Sequence, residues 1–194
     1  MTVADRTFPS WSFHHPLRRL SRSPGTVLDP WGPRPGETVA DLGAGGGYFL
    51  PELLRRIGSA GRVYAVDVDA EALALAREVV ARLSVPVAAV EFVHASAASV
   101  PAVPSGSVDY ALSNGLLCCL VAKHEAMEEM WRILRPGGRA LVTFRTLNPG
   151  WSARGRALRL TGERFLQLLG ERPWATAAMQ RRWTGRSFAL SKPA

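Results

Sequence analysis

The sequence predicts an α/β fold built on a mostly parallel sheet. Three observations carry that expectation. Short apolar runs with strand character alternate with helical stretches from residue 37 to residue 145, a glycine run separates the first strand from the first helix, and an acid lies at the end of each of the first two strands. Right-handed crossovers are the connections that return such strands side by side.

Taken in order, residues 1–13 look loose, with Trp11 and Phe13 as anchors onto other structure. His15 to Leu20 and Thr26 to Trp31 read as short helical pieces between Pro16, Pro24, Pro30 and Pro33. Glu37 to Leu42 reads as a buried strand, Tyr48 to Ile57 as a helix, and Gly58 to Gly61 as a turn. Arg62 to Asp67 is a second strand. Asp69 is a good N-cap for the helix "AEALALAREVVARL", which is rich in strong helix formers. Val87 to His94 and Ser107 to Ser113 are the third and fourth strands, separated by a stretch rich in Pro and Ser. Lys123 to Arg135 has Met127, Met130, Trp131 and Leu134 at helical spacing and should stop before Pro136-Gly137-Gly138. Arg139 to Arg145 is the fifth strand. Thr161 to Leu169 reads as a helix capped by Thr161, and Pro173 to Arg182 with Arg186 to Ser191 as two final strands joined around Thr184-Gly185. The candidate strands number seven.

A chain of 194 residues is long enough for one domain with a substantial core. The longest apolar run, Leu116 to Ala122, is far short of a membrane span. Arg18-Arg19 is not followed by an apolar region, which argues against a twin-arginine export signal. Cys118 and Cys119 make no disulfide framework, so a reducing cytoplasm is the expected location. The net charge of +8 is concentrated in residues 150–194, which carry nine bases and two acids. That segment reads either as a patch for RNA, a membrane surface or an anionic substrate, or as a composition bias toward arginine.

The glycine loop, "VADLGAGGGYF" over residues 39 to 49, discriminates among ligands. Backbone N–H groups at such a loop allow close approach because no Cβ intervenes. A dinucleotide fingerprint counted from Gly43 needs a glycine at position 48, which is Tyr; no Gly-Lys-Ser/Thr follows for a phosphate loop either. The pattern present is D-x-G-x-G-x-G, formed by Asp41, Gly43, Gly45 and Gly47. A carboxylate just before the loop repels a pyrophosphate and suits a cation. Asp67, at the end of the next strand, is placed to accept hydrogen bonds from a ribose diol. The pattern describes a positively charged nucleoside without phosphates.

At these residues the chain resembles the class I S-adenosylmethionine-dependent methyltransferases, and most of all the small-molecule branch related to quinone-biosynthesis methyltransferases. The matching segments are VADLGAGGGYF, VYAVDVD, VPSGSVDYALSNGLL and MWRILRPGGRALVTF, in that order, over residues 36 to 146. The resemblance implies a Rossmann-like seven-stranded sheet, mostly parallel with strand 7 antiparallel and helices on both faces. It implies residues 36–194 as a single methyltransferase domain and residues 1–35 as an extension that covers the cofactor as a lid. It further implies that Asp41, Gly43, Ala44, Gly45 and Gly47 hold the methionine part of S-adenosyl-L-methionine, that Asp67 binds the ribose and that Val68 packs on the adenine. The family's adenine-binding Asp is replaced by Ser96, leaving Ser96, Ala97 or the neighbouring backbone to contact the base. Ser113, Asn114 and Leu116 would line the floor near the methyl group.

The acceptor side is less patterned. The absence of an Asn/Asp-Pro-Pro-Tyr/Phe motif after the fourth strand, where Ser113-Asn114-Gly115-Leu116 stands, argues against methylation of exocyclic base amines. Candidate bases are His14, His15, His124 and Glu125, each with a surface or capping role as the alternative. The adjacent thiols invite a soft-metalloid reading. Against it stand the opposite directions expected of neighbours in an extended stretch and the lack of a third cysteine, so no metal is expected. A small-molecule methyltransferase is the expected function. The alternatives are an RNA or protein methyltransferase using the aromatic and basic residues Trp151, Arg154, Arg156, Arg159, Trp174, Arg181, Arg182 and Trp183, and a non-catalytic S-adenosylmethionine-binding protein. Trp174 and Trp183 read equally as core anchors of the final hairpin.

Overall fold

A computed structural model describes residues 23–29, 31–83, 89–146, 158–170, 172–182 and 185–194. The readings placed on residues 1–22, including His14 and His15, and on Trp151, Arg154, Arg156 and Trp183, lie outside them.

The first described element is helix α1 (Pro24–Leu28), shorter and earlier than the predicted 26–31. Ser23 caps it, its Oγ accepting from the Thr26 N–H at 3.3 Å, and Pro24 supplies a φ already suited to a first turn. Pro30 ends it, because a residue before proline is pushed out of the helical region; Asp29 is extended. Strand β1 (Thr38–Leu42) leads through the glycine loop to helix α2 (Leu50–Ile57). This helix starts two residues later than Tyr48, since Tyr48 and Phe49 are spent in bends that complete the turn out of the loop. Strand β2 (Arg62–Asp67) and helix α3 (Ala70–Ala81) follow, with Asp69 accepting from the N–H groups of Glu71 (2.9 Å) and Ala72 (3.2 Å) as the predicted cap. Strands β3 (Ala89–His94) and β4 (Val108–Asn114) come next.

Helix α4 (Lys123–Ile133) and strand β5 (Leu134–Arg145) depart from expectation. The helix ends at Ile133, and the strand takes in Pro136-Gly137-Gly138 as an irregularity: Val108 pairs with Leu134, whereas Tyr110 already pairs with Arg139. Gly137 has φ +71°, and a Cβ at Gly138 would sit 2.8 Å from the Arg135 carbonyl oxygen, so these glycines let the strand bulge rather than stop it. Helix α5 (Gly162–Leu169), with Thr161 accepting from the Arg164 N–H, precedes strands β6 (Ala175–Arg182) and β7 (Gly185–Ser191).

The seven strands form one sheet in the order β3-β2-β1-β4-β5-β7-β6. The pairs from β3 to β5 are parallel, and β7 runs antiparallel to both β5 and β6. Helices cover both faces. On one, Met127, Met130 and Ile133 of α4 and Phe165 and Leu169 of α5 pack with Ala111, Val142 and Phe188. On the other, α1, α2 and α3 bury Leu28, Leu50, Leu53, Ile57 and Ala76 against Val39, Val63 and Leu112. Phe144, Phe165 and Phe188 form a three-ring cluster with centroids 4.5 to 5.9 Å apart. Trp174 packs edge-on against Trp131 at 4.8 Å, an anchoring role for the final hairpin. Arg139 reaches both carboxylate oxygens of Glu37 at 2.7 Å and the Gly32 carbonyl at 3.1 Å, fastening the segment before β1 to β5.

Candidate functional site

The carboxyl ends of β1 to β5 lie along one edge of the sheet, and the strand order turns back between β1 and β4. In open α/β sheets that switch point forms the ligand crevice. The glycine loop fills its centre. Gly43, Gly45 and Gly47 have φ of +79°, +53° and +80°, a conformation side chains resist. Two are also pressed by neighbours: a Cβ on Gly43 would lie 2.9 Å from Leu116 Cδ1, and one on Gly47 would lie 3.0 Å from the Cα of Ala76 in α3.

Hydrogen bonds fasten the loop to β2. The N–H groups of Gly43 and Ala44 both donate to the Val66 carbonyl at 2.9 Å, and the Gly45 N–H donates to Asp67 Oδ2 at 2.7 Å. Asp67 Oδ1 accepts from the Asp69 N–H at 3.0 Å. The carboxylate is thereby fixed at the loop's mouth, half-buried, with lone pairs left on each oxygen. Asp41 is 2% exposed, at the end of β1 beneath the loop. Val68, the next residue after Asp67, is 54% exposed, unusual for an apolar side chain flanking a core strand. His94 Nε2 lies 3.0 Å from the Val68 carbonyl oxygen and was not singled out from the sequence.

Ser96 and Ala97 stand beyond β3, held by the Ala95 N–H donating to the Asp67 carbonyl at 3.0 Å. The Ser96 hydroxyl accepts from the Ala98 N–H at 3.2 Å, so it closes its own turn. That turn belongs to a loop clamped by α4: Glu129 accepts from the Val100 N–H at 2.5 Å, and Arg132 donates to the carbonyls of Val100 (3.0 Å) and Val103 (2.9 Å). The Arg132 guanidinium holds the Glu129 carboxyl below its usual range. The sequence hinted at this clamp only through an i,i+3 acid–base pair on the helix.

At the end of β4, Ser113 is fully buried, and its Oγ has no hydrogen-bond partner among the described residues. Asn114 Oδ1 accepts from Thr143 Oγ1 at 2.6 Å, and the Gly115 N–H donates to the Thr143 carbonyl at 2.7 Å. Thr143, absent from the sequence-level candidates, therefore orients Asn114 and Gly115. His124 lies in the first turn of α4, half-buried, and Glu125 beside it is exposed.

The thiols correct the expectation of opposite directions. Leu117 to Cys119 form a turn rather than an extended stretch, and both sulfurs converge on the Gly115 carbonyl, Cys118 at 3.3 Å and Cys119 at 3.4 Å. Hydrogen bonding from the Cys119 thiol, helped by the Arg145 backbone N–H, pulls the Cys118 thiol down to about 6 against the opposing effect of burial.

The loop thus offers a narrow cradle that a Cβ would fill, a fixed carboxylate with free lone pairs, an exposed valine and a buried hydroxyl, and these suit an adenosyl sulfonium. A family model described as a methyltransferase domain matches residues 40–142. The chain belongs to the methyltransferase-domain family. S-adenosylmethionine is the cofactor of this class I methyltransferase. The ubiquinone/menaquinone biosynthesis C-methyltransferase UbiE of Enterobacter sp. (strain 638) is 36% identical over 116 residues, 60% of this chain and 45% of that protein. The Escherichia fergusonii protein of the same name is 34% identical over the same shares. This methyltransferase therefore spans less than half the length of the curated relatives it matches. Among solved structures, a SAM-dependent methyltransferase from Aquifex aeolicus superposes with TM-score 0.81 at 22% identity, covering 95% of this chain and 99% of that one. The [4+2]-cyclase SpnF superposes with TM-score 0.72 at 18% identity, covering 88% and 80%. At those identities the likeness is one of fold. Among the described residues no helix is long and apolar enough to cross a membrane.

Proposed function

We propose that this methyltransferase transfers the methyl group to a small-molecule acceptor, with carbon as the atom methylated. The identity to quinone C-methyltransferases supports the acceptor class, and the order of groups along the strand ends supports the geometry. The observation that carries the reading is the Asp67 carboxylate, fixed by Gly45 and Asp69 with exposed Val68 beside it.

Asp67 accepts the two ribose hydroxyls, Val68 packs on the adenine face, and the Ser96–Ala97 turn meets the base edge through its backbone, since the Ser96 hydroxyl is engaged in its own turn. Gly43, Ala44, Gly45 and Gly47 take the methionine part, with Asp41 balancing positive charge below them. Ser113 and Asn114 form the floor beneath the reacting centre. S-adenosylmethionine, when bound, supplies an electrophilic methyl on a sulfonium. The chain's task is then to exclude water and line up the acceptor, which binding accomplishes by positioning. No strong base is assigned among the described residues; an acceptor that is already ionised, such as a phenolate, needs none, and His124 at the start of α4 is the candidate for holding a proton if one is required. Residues 36–194 act as one domain around the single sheet, and the two thiols outside any disulfide favour a cytoplasmic setting.

The test is calorimetric titration of the full chain with S-adenosylmethionine, S-adenosylhomocysteine and NAD, followed by an acceptor panel of phenols, quinols and RNA. Saturable binding of both adenosyl ligands without NAD binding, and turnover on a phenolic or quinol acceptor, is expected. Turnover confined to RNA would overturn the acceptor class, and cofactor binding without any turnover would leave a non-catalytic binding protein.

A further inference from the structure

We propose that Cys118 and Cys119 form a dithiol site that captures monosubstituted trivalent arsenicals on the acceptor side of the cleft. The Cys119 N–H donates to the Leu116 carbonyl at 2.7 Å, closing the turn that folds both side chains the same way. Their sulfurs share the Gly115 carbonyl at 3.3 and 3.4 Å, which brings the two thiols to one point of the turn. They are the only cysteines of the chain. Both residues are buried in the core, with 7% and 8% of their surface left exposed.

The pair sits just past the end of β4, with the Arg145 backbone N–H at the end of β5 on one side. On the other is Leu116, whose side chain abuts Gly43. Paired thiolates favour a soft centre. A transition-metal ion would call for further donors, and among the described residues no group of three His, Cys, Asp or Glu could hold one. A monosubstituted arsenical needs only two sulfurs, because its third valence carries the organic group. In the capture step two As–S bonds form and the As=O bond breaks. The oxygen leaves as water with the two thiol protons, and arsenic stays trivalent, so no oxidant or reductant enters. The adduct lies just past the end of β4, one strand removed from Asp67 at the end of β2, which stays open to the cofactor. Its placement relative to the cofactor rests on the methyltransferase reading; the capture itself does not.

The test treats the full chain with phenylarsine oxide in excess monothiol. Capture of one equivalent, loss of both thiols from titration and release only by a dithiol are expected, with S-adenosylhomocysteine affinity kept within about twofold. Cys118→Ser and Cys119→Ser should each abolish monothiol-resistant capture while still binding S-adenosylhomocysteine, which also shows that they fold. Adducts displaced by monothiol, or a single-serine variant that retains tight capture, would overturn the dithiol. Loss of S-adenosylhomocysteine binding in the loaded protein would overturn its placement. Failure of the untreated protein to bind S-adenosylhomocysteine would count against the methyltransferase reading alone.

Discussion

Replacing Asp67 by Asn keeps the shape of the side chain and removes its charge and one acceptor. In the native loop one oxygen accepts from the Gly45 N–H at 2.7 Å and the other from the Asp69 N–H at 3.0 Å. An amide has a single oxygen, so one of these donors is left facing an NH2 group. The internal loss amounts to one hydrogen bond at a half-buried position, a destabilisation of about 1–2 kcal/mol. A ribose diol suffers the same deficit, since only one of its hydroxyls can still donate. A hydrogen bond to a charged group is worth about 1.5–3 kcal/mol, which weakens S-adenosylhomocysteine binding by about 10- to 150-fold. Calorimetric titration gives the affinity and urea unfolding gives the stability of the same sample. An affinity within about twofold of the wild type, in a variant that still unfolds cooperatively, would refute the assignment of Asp67 to the ribose.

Three further substitutions or measurements address the loop, the fold and the thiols. Gly47→Ala meets both a positive φ and the backbone of α3, whereas Gly106→Ala at φ +64° meets open space. Thermal unfolding should therefore show a loss of about 2–4 kcal/mol for the first and about 1–2 for the second, a gap of several degrees in Tm. Glu37→Gln leaves Arg139 without its two-pronged partner in a mostly buried position and should cost about 2–4 kcal/mol in urea unfolding, more than Glu78→Gln in the exposed pair with Arg82. Alkylation of Cys118 should rise through pH 6 and level off before neutrality, rather than climbing toward pH 9 as for an ordinary thiol. Because its folded pKa is the lower one, the thiolate stabilises the fold fully above about pH 9, and that contribution is lost as pH falls through 6.

Much of this architecture was legible because each element carries a local signature. Asp69 and Thr161 announce helix starts through a side-chain oxygen placed to accept the first free N–H groups, and both caps are present. The runs from Val39 to Leu42 and Val63 to Val66 are short, carry β-branched valines and are bounded by turn residues, which favours buried strands over helices. Pro136-Gly137-Gly138 misled, since such residues read as a turn, yet here they form a bulge within β5 because the Gly137 N–H finds the carbonyls of Lys192 and Pro193, each at 3.1 Å. No local pattern could reveal a partner 55 residues away. The cysteines were misread for a similar reason: period-two alternation applies to a strand, and the chain had already left β4 at Asn114. Likewise Thr143 beneath Asn114 and Glu129 above Val100 depend on strand register and helix docking, which spacing along the chain does not encode.

The position of β7 bears on how the protein is made. Residues 185–191 lie between β5 and β6 rather than at the rim of the sheet. During synthesis the first five strands emerge and can pair in sequence, but β5 then waits with one side bare until the ribosome has released residue 191. A nascent chain stalled anywhere between residues 146 and 184 would display Leu141, Val142 and Phe144 on an open strand, a surface that invites pairing with another chain. A version cut before Gly185 should therefore keep a bare β5 edge and give a poor soluble yield.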